Sequence, residues 1–372
     1  IVLVVAPPSC EESARARVNS ICRAHEDLNP LVIGQREAAH VTNAVGRMLP
    51  NVVGEAVALR GYGAIKNLGL AVAAIMGHDV VVFLDDDNVV LDQDFLLNAV
   101  YGLGSLNRQG QHISAKSGYF VDASGSALPH PSTAWSERYW SKAGEFTKVM
   151  ERMLSATRFS RSNHMCGGCC ALHAEAFARV PFDPYITRGE DLDYVFDLRA
   201  FGLDVWFDNA WSVRSQPPEE TASGPSLFMQ DAYRWLYEYR KLEALNARRD
   251  LRTITRESLM PYPAPWVFPE VRQRVFKTAH RRMLTGPDRL AYLRILTRGR
   301  HEAERYARTA SARYLSFAMA WSGIMASLWE DRYLRAAILK TGEVAPILQK
   351  VTPADLSGGI SADISGNLGG DL

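Results

Sequence analysis

Val80-Val81-Val82-Phe83-Leu84-Asp85-Asp86-Asp87-Asn88 is the stretch that decides how the chain is read. Five apolar residues, three of them β-branched, have the length and composition of a strand inside a sheet. The run stops at three consecutive aspartates, as a strand does when it leaves the apolar layer for solvent. Upstream, residues 64–76 read as a helix, preceded by the turn Gly61-Tyr62-Gly63 and a strand over 55–59. Further back, helices are predicted at 41–49 and 11–24, the latter capped by Ser9. Strands are predicted at 31–34 and 1–6, the first of them buried on both faces. Strands alternating with helices of this length predict right-handed βαβ units and a parallel α/β sheet.

Downstream, strands are predicted at 117–121, 168–172 and 205–209. A short helix follows over 175–179, and another over 191–201 ends at Gly202 as its C-terminal cap. Residues 122–165 are polar, aromatic and weakly periodic, the pattern of a binding loop or lid. After Pro217-Pro218 nearly everything reads as helix, interrupted between Pro261 and Pro269. At about 150 residues per domain, the 372 residues divide into an α/β unit over 1–215, a helical region over 216–350 and a flexible Gly/Ser/Asp-rich tail over 351–372.

Composition narrows the function classes. Hydrophobic residues make up 47% and charged residues 22%, enough apolar material for a core, which excludes a disordered chain. Lys+Arg is 42 against 41 Asp+Glu, a net charge of +1, which argues against a nucleic-acid binder. The five cysteines are too few and too scattered for a disulfide framework. Cys166-Gly-Gly-Cys169-Cys170 has no second pair to complete a tetrahedral zinc site, so buried reduced thiols and a cytoplasmic setting are expected. The chain begins at Ile1 within a strand-like run, so its start carries no information about a leader. The most apolar stretch, 314–329, contains Ser316, Ser322 and Ser327 and reads as a buried helix rather than a membrane span.

Asp85, Asp86 and Asp87 carry the sharpest chemistry. The carboxyl end of a sheet strand is where open α/β sheets bind ligands. Three like charges there repel unless a cation joins them, and Mg²⁺ or Mn²⁺ prefers such oxygens and also takes substrate phosphates. Glu190-Asp191 is a second acidic pair at a predicted helix start. There the helix dipole favours anions, while mutual repulsion raises the proton affinity of one carboxyl.

With these residues in view, the chain resembles the GT-A fold glycosyltransferases, in particular family 2. The segment ending Asp85-Asp86-Asp87 resembles the family's Asp-x-Asp strand end. Gly63-Ala64-Ile65-Lys66-Asn67-Leu68-Gly69 resembles the helix start that precedes it. Gly167-Gly168-Cys169-Cys170-Ala171-Leu172 resembles the family's Gly-Gly strand, and Phe182-Asp183, Gly189-Glu190-Asp191-Leu192-Asp193, Leu198-Arg199 and Gly202 resemble its Gly-Glu-Asp helix. The resemblance covers about residues 1–215. It implies a GT-A, Rossmann-like mixed sheet and a glycosyltransferase acting on a nucleotide-diphosphate sugar, a UDP- or GDP-sugar, with inversion. It also implies residue roles. Asp85 and Asp86 would lie near the nucleotide and its first phosphate, and Asp87, with Asp85, would hold Mn²⁺ or Mg²⁺. Lys66, Asn67 and Gly168 would lie beside the nucleotide, and Ala6, Pro7 and Ser9 would wall the base. Asp191, with Glu190 adjacent, would be the general base, and Asp193 is either structural or close to the acceptor.

Two departures stand out. Many members place a His after the strand that follows the Gly-Glu-Asp helix, whereas this chain has Val213-Arg214-Ser215-Gln216, so another group, a looser site or Arg214 takes that part. Gln230-Asp231-Ala232-Tyr233-Arg234-Trp235 resembles the Gln-x-x-Arg-Trp element of processive synthases with one residue too many, which puts Arg234 and Trp235 near an acceptor or, alternatively, Trp235 in a core. Trp135, Tyr139, Trp140 and Phe146 are expected to form either an acceptor wall or core packing. His164 and His173 are expected to be structural.

Residues 272–313 carry 12 basic and three acidic residues. They form either a solvated, internally paired helix face or a patch for an anionic partner, such as a phosphorylated or lipid-linked acceptor or a peripheral membrane surface. Two other classes compete. A haloacid-dehalogenase-like phosphatase would use Asp85 and Asp87, but it lacks a Lys motif in context between 117 and 187 and has no place for the upstream strands. An inactive glycosyltransferase-like scaffold would not need the intact acidic motifs.

Overall fold

The computed structural model describes residues 1–25, 28–49, 53–129, 135–216, 223–286 and 288–342. The expected tail over 351–372 lies outside these residues. The fold is mixed α/β with a helical C-terminal region. In chain order the elements begin β1 (Val2–Leu3), α1 (Glu11–Arg23), β2 (Val32–Ile33), α2 (Gln35–Met48), α3 (Val53–Ala56), α4 (Tyr62–Met76), β3 (Val80–Phe83), β4 (Asn88–Val89) and α5 (Phe95–Val100). Then come β5 (Ala115–Val121), α6 (Ala143–Leu154), β6 (Phe159–Ser162), β7 (Cys170–His173), α7 (Ala174–Phe177), α8 (Glu190–Ala200) and β8 (Val205–Ser215). The C-terminal region is α9 (Gly224–Asn246), α10 (Ala264–Val267), α11 (Glu270–Thr285), α12 (Arg289–Arg294), α13 (Arg300–Glu330) and α14 (Arg332–Gly342).

The parallel sheet read from the alternating pattern needs correcting. β1 and β2 pair parallel as a separate two-stranded sheet, and the main sheet runs β3-β7-β5-β8-β4, with β6 also on β8. Only β5 and β8 pair parallel in it; β3 meets β7, and β7 meets β5, antiparallel. β3 is an edge strand and only half-buried, despite being so apolar. Apolar content reports that a strand touches a core, not which position it takes in the order of strands.

Three local readings also change. The strand expected at 55–59 is the short helix α3 followed by bends. Ser9 does not cap α1: the residue before that helix is Cys10, with no side-chain cap. The segment 122–165 is more regular than expected, since it contains a 3₁₀ turn at Trp135–Glu137, α6 and β6. Gly202 closes α8 as expected: its N–H bonds Arg199 O at 3.1 Å and Leu203 N–H reaches back to Leu198 O at 2.8 Å.

The C-terminal helices share the core of the α/β part. Tyr314, Phe317, Trp321 and Leu328 of α13 are buried in one cluster with Leu68, Val72 and Ile75 of α4 and with Phe177 and Phe182. Trp321 Nε1 donates to Phe177 O at 2.8 Å, which satisfies the polar atom of a fully buried indole. The helix over 314–329, expected to be buried, is buried on one face only, with Ser316, Met319, Ser322, Ser327 and Trp329 exposed, and among the described residues no helix is long and apolar enough to cross a membrane. A second cluster, built on Trp235, Trp266 and Tyr262, packs α9, α10 and α11 against α8.

Candidate active site

β3 delivers Asp85, Asp86 and Asp87 into a turn at the sheet edge. The turn is held by main-chain bonds, Asn88 N–H to Asp85 O at 3.1 Å and Gln216 N–H to Asp87 O at 2.8 Å. Asp85 and Asp86 are exposed and Asp87 is half-buried. Partial burial, with the charges of Asp85 and Asp86 beside it, holds the Asp87 carboxyl above the ordinary aspartate value. That repulsion is the condition a divalent cation relieves. The residues fit an ion that takes one or two carboxylates here and its remaining oxygens from a substrate diphosphate. They do not form a closed protein cage: among the described residues no three His, Cys, Asp or Glu side chains are grouped as metal ligands.

The glycine pair joins this turn to the second acidic group. A side chain at Gly168 would overlap Asn88 Nδ2 and Asp85 Oδ2. At Gly167 it would meet Lys66 Nζ at 2.5 Å, Asp191 Cβ at 3.4 Å and Glu190 Oε1 at 3.5 Å. Only glycine lets the backbone pass between the two carboxylate groups. Asn88 Nδ2 donates to Gly168 O at 3.3 Å and ties the turn to this passage.

Lys66, on α4, is buried beneath it. Its Nζ lies 3.3 Å from Glu190 Oε1, without hydrogen-bond geometry, and 5.4 Å from the ring centres of Phe83 and Phe182. Burial opposes its charge, but Glu190, Cys170, Asp85 and Asp191 together hold its proton more firmly than usual. Burial pushes the Glu190 carboxyl up, Lys66 opposes that shift and Asp191 adds to it. Lys66 is thus a charged ammonium whose hydrogen-bonding capacity is unspent, between the two acidic groups.

Gly189 starts α8 in the left-handed region, φ +76°, and the Arg234 guanidinium lies directly against its Cα. A side chain there would collide with that guanidinium. Arg234 Nε donates to Glu238 Oε1 at 3.2 Å, and the guanidinium stacks on Trp235 at 4.6 Å. Burial opposes its charge, while Glu238, Tyr262, Asp191 and Asp231 hold its proton on. Arg234, placed near an acceptor by the sequence reading, lies at the start of the acidic helix, carried there by α9. Asp191 is half-buried, and its Oδ1 accepts from Leu192 N–H at 2.7 Å.

Three sequence-based assignments are corrected. Asn67 is fully buried, bonded to Ala56 O at 3.0 Å and Phe182 O at 2.9 Å and accepting from Phe182 N–H at 2.8 Å. It splices α4 to the 182 segment and has no face for a nucleotide. Asp193 is fully buried, 2.5 Å from Lys241 Nζ, which also meets Asp183 at 2.9 Å and Asp197 at 2.8 Å. It is structural, not an acceptor contact. Trp235 is fully buried against Trp266 and Tyr262, so it offers no surface to an acceptor.

Of the aromatic residues in 122–165, Trp140 and Phe146 pack into the core, whereas Trp135 is exposed and covered by the Arg281 guanidinium at 4.1 Å. Ala6, Pro7 and Ser9 follow β1, half-buried to exposed, and make no hydrogen bond to the 85–87 turn among the described residues. Arg214 lies opposite Val89 in the β4–β8 pair, so the segment that lacks the family's His does come alongside the acidic turn. Cys166, Cys169 and Cys170 are buried thiols, all pushed up by burial. His164 is half-buried, and desolvation lowers its proton affinity.

A cleft of about 760 Å³ is lined by Arg188, Glu137, Trp140, Asp231, Arg282 and Tyr292 among others, and by none of Asp85–Asp87, Lys66, Glu190 or Asp191. The Glu137–Arg282 pair, at 2.5 Å, bridges the 3₁₀ turn to α11, and Lys142 holds Asp231 at 2.8 Å. Of these residues the sequence reading singled out only Trp140 as a candidate acceptor wall. Arg188 was signalled only by its place before Gly189-Glu190-Asp191, and the others come from segments more than 40 residues apart, which no local pattern connects.

No family model and no curated protein matches the sequence. Among solved structures, the chain is similar to a mannosyltransferase from Pyrobaculum calidifontis, PcManGT, in complex with GDP-Man and Mn²⁺. The match has 16% identity and a TM-score of 0.39, and covers 89% of this chain and 86% of that one. A likeness of that degree carries no residue role across.

Proposed function

We propose that the protein is a glycosyltransferase that moves a sugar from a nucleotide-diphosphate donor, a UDP- or GDP-sugar, to an acceptor hydroxyl with inversion. One observation carries the reading. The Gly167-Gly168 passage brings the strand-end carboxylates, the buried ammonium of Lys66 and the Glu190-Asp191 helix start together. A phosphatase reading explains the first of these but leaves the other two without a task.

In this reading Asp85 and Asp87 would hold Mn²⁺ or Mg²⁺, which when bound offsets charge developing on the leaving diphosphate. Asp86 and the exposed edge of the turn would contact the nucleotide, with Ala6, Pro7 and Ser9 walling the base. Lys66 adds fixed positive charge between the acidic groups, where a diphosphate needs it. Asp191, at the start of α8, takes the proton from the attacking hydroxyl. Attack from the side opposite the leaving group inverts the anomeric centre. Glu190 is committed to Lys66 and serves Asp191 as a positioning neighbour. Arg234 fixes the helix start from the C-terminal side.

The test is binding of UDP, GDP and their sugars by calorimetry, with and without Mn²⁺, on the wild type and Asp87→Ala. One nucleotide should bind in a metal-dependent manner and lose that dependence in the variant. No nucleotide binding by the wild type, or unchanged metal dependence in Asp87→Ala, rejects the reading.

A further inference from the structure

The cleft has an unusual rim. Thr285, Gly286 and Asp288, between α11 and α12, line it. On either side of them leucines stand in solvent: Leu284 is 55% exposed, Leu290 73% and Leu293 44%. Single exposed leucines are ordinary, but three bracketing the mouth of a cleft form a patch. Arg289 and Arg294 flank them, both exposed, and neither side chain makes a hydrogen bond or ion pair among the described residues.

The basic face continues along the same helical run. Arg294, Arg298, His301, Arg305 and Arg308 are all exposed; Arg298 lies in the π-helical turn Ile295–Gly299 that joins α12 to α13, and His301, Arg305 and Arg308 follow the three- and four-residue spacing of one face of α13. Glu302 is held by Arg298 at 2.6 Å. Elsewhere in the basic stretch Arg272 is paired with Glu304, Arg274 with Glu145, Arg282 with Glu137 and Arg313 with Glu55. The fold thus neutralises part of the charge of 272–313 and leaves Arg289, Arg294, Arg305 and Arg308 exposed without an ion pair among the described residues.

We propose that this face docks the protein on an anionic lipid surface. Leu284, Leu290 and Leu293 enter the interface and Arg289 and Arg294 meet the head groups, so that the cleft receives the polar head of a membrane-held acceptor. The acceptor clause rests on the transferase reading; the docking does not. An apolar strip beside arginines is what an interfacial surface requires, since burial of the leucines and attraction to anionic head groups add. A second copy of the chain is a poor occupant, because a symmetric contact would set two positive faces against each other. A soluble polyanion would use the arginines and leave the leucines in water.

The experiment is co-sedimentation with vesicles of phosphatidylcholine alone or with a minority of phosphatidylglycerol, at low and high salt. The proteins are the wild type, Arg289→Glu/Arg294→Glu, Leu290→Glu/Leu293→Glu and a control, Leu96→Glu/Leu97→Glu, which alters exposed leucines on α5. All changes are at the surface, and thermal melting checks the fold. The wild type should bind the anionic vesicles in a salt-sensitive manner. Replacing both arginines should weaken binding about 25-fold or more, at about fivefold per basic residue. The leucine pair should cost at least about tenfold, and the control should bind like the wild type. Equal binding to neutral vesicles, no binding, or rim variants indistinguishable from the wild type overturns the docking. Nucleotide binding measured without vesicles separates the two readings. If it is absent while the vesicle results hold, the docking stands and only the acceptor clause falls.

Discussion

Two aspartate triads occupy this molecule, and their fates are opposite. Asp85, Asp86 and Asp87 sit side by side at the end of an edge strand, with a charge-raised proton affinity at Asp87 and no salt bridge among the described residues. Asp183, Asp193 and Asp197 come from separate positions, are fully buried, and converge on Lys241 Nζ, with Tyr237 OH donating to Asp183 at 2.7 Å. The first triad leaves its charge for something outside the chain. The second has been supplied with a cation by α9 and works as a rivet between the C-terminal helices and α8. The number of carboxylates does not separate a site from a scaffold; what separates them is whether the fold brings its own counter-ion.

The contrast is broken most severely by Lys241→Met. Three buried carboxylates would lose their only ammonium, and removing one partner of a buried ion pair costs about 3–5 kcal/mol. Urea denaturation should show that loss, or no soluble protein. Asp191→Asn should leave urea stability and nucleotide binding near the wild type but lower turnover by about 10²–10⁴, the scale of an acid–base group. An unchanged rate would move the base elsewhere.

A smaller effect concerns pH. Burial holds the Asp197 carboxyl up at about 6, against the pull of Lys241. A raised carboxyl contributes stability that is complete below its unfolded value and is lost as pH rises through the folded one. Stability should therefore decline between about pH 4 and pH 6 through this group. Asp197→Asn should flatten that slope in urea midpoints measured across the range. The smallest effect belongs to the outer triad: Asp87→Ala should change stability by no more than about 0.5 kcal/mol, as surface substitutions do. A large loss would mean that the turn is scaffold after all.

Much of this was legible locally. The strand ending in three aspartates, the α4 and α8 helices, the Gly202 stop and the helical state of 314–329 follow from patterns only a few residues long, because periodicity and caps are local. The acidic helix start was equally plain. Asn67 was assigned to the nucleotide, and Asp193 and Trp235 to an acceptor or alternatively to the interior, on the strength of their motif neighbours. The structure turns them inward, since their partners (Phe182, Lys241 and Trp266) are 31 or more residues away in the chain.

The sequence by itself determined which residues can carry charge and chemistry, and where the strongly patterned elements such as β3, α4 and α8 lie, since those depend on neighbouring residues. Only the tertiary structure decided that β3 lies at the edge of the sheet, that Arg234 of α9 presses on Gly189, and that Lys241 neutralises one triad while the other stays open. Strand order and counter-ion pairing are long-range properties. They are fixed by which surfaces can be buried together, and that depends on residues far apart in the chain.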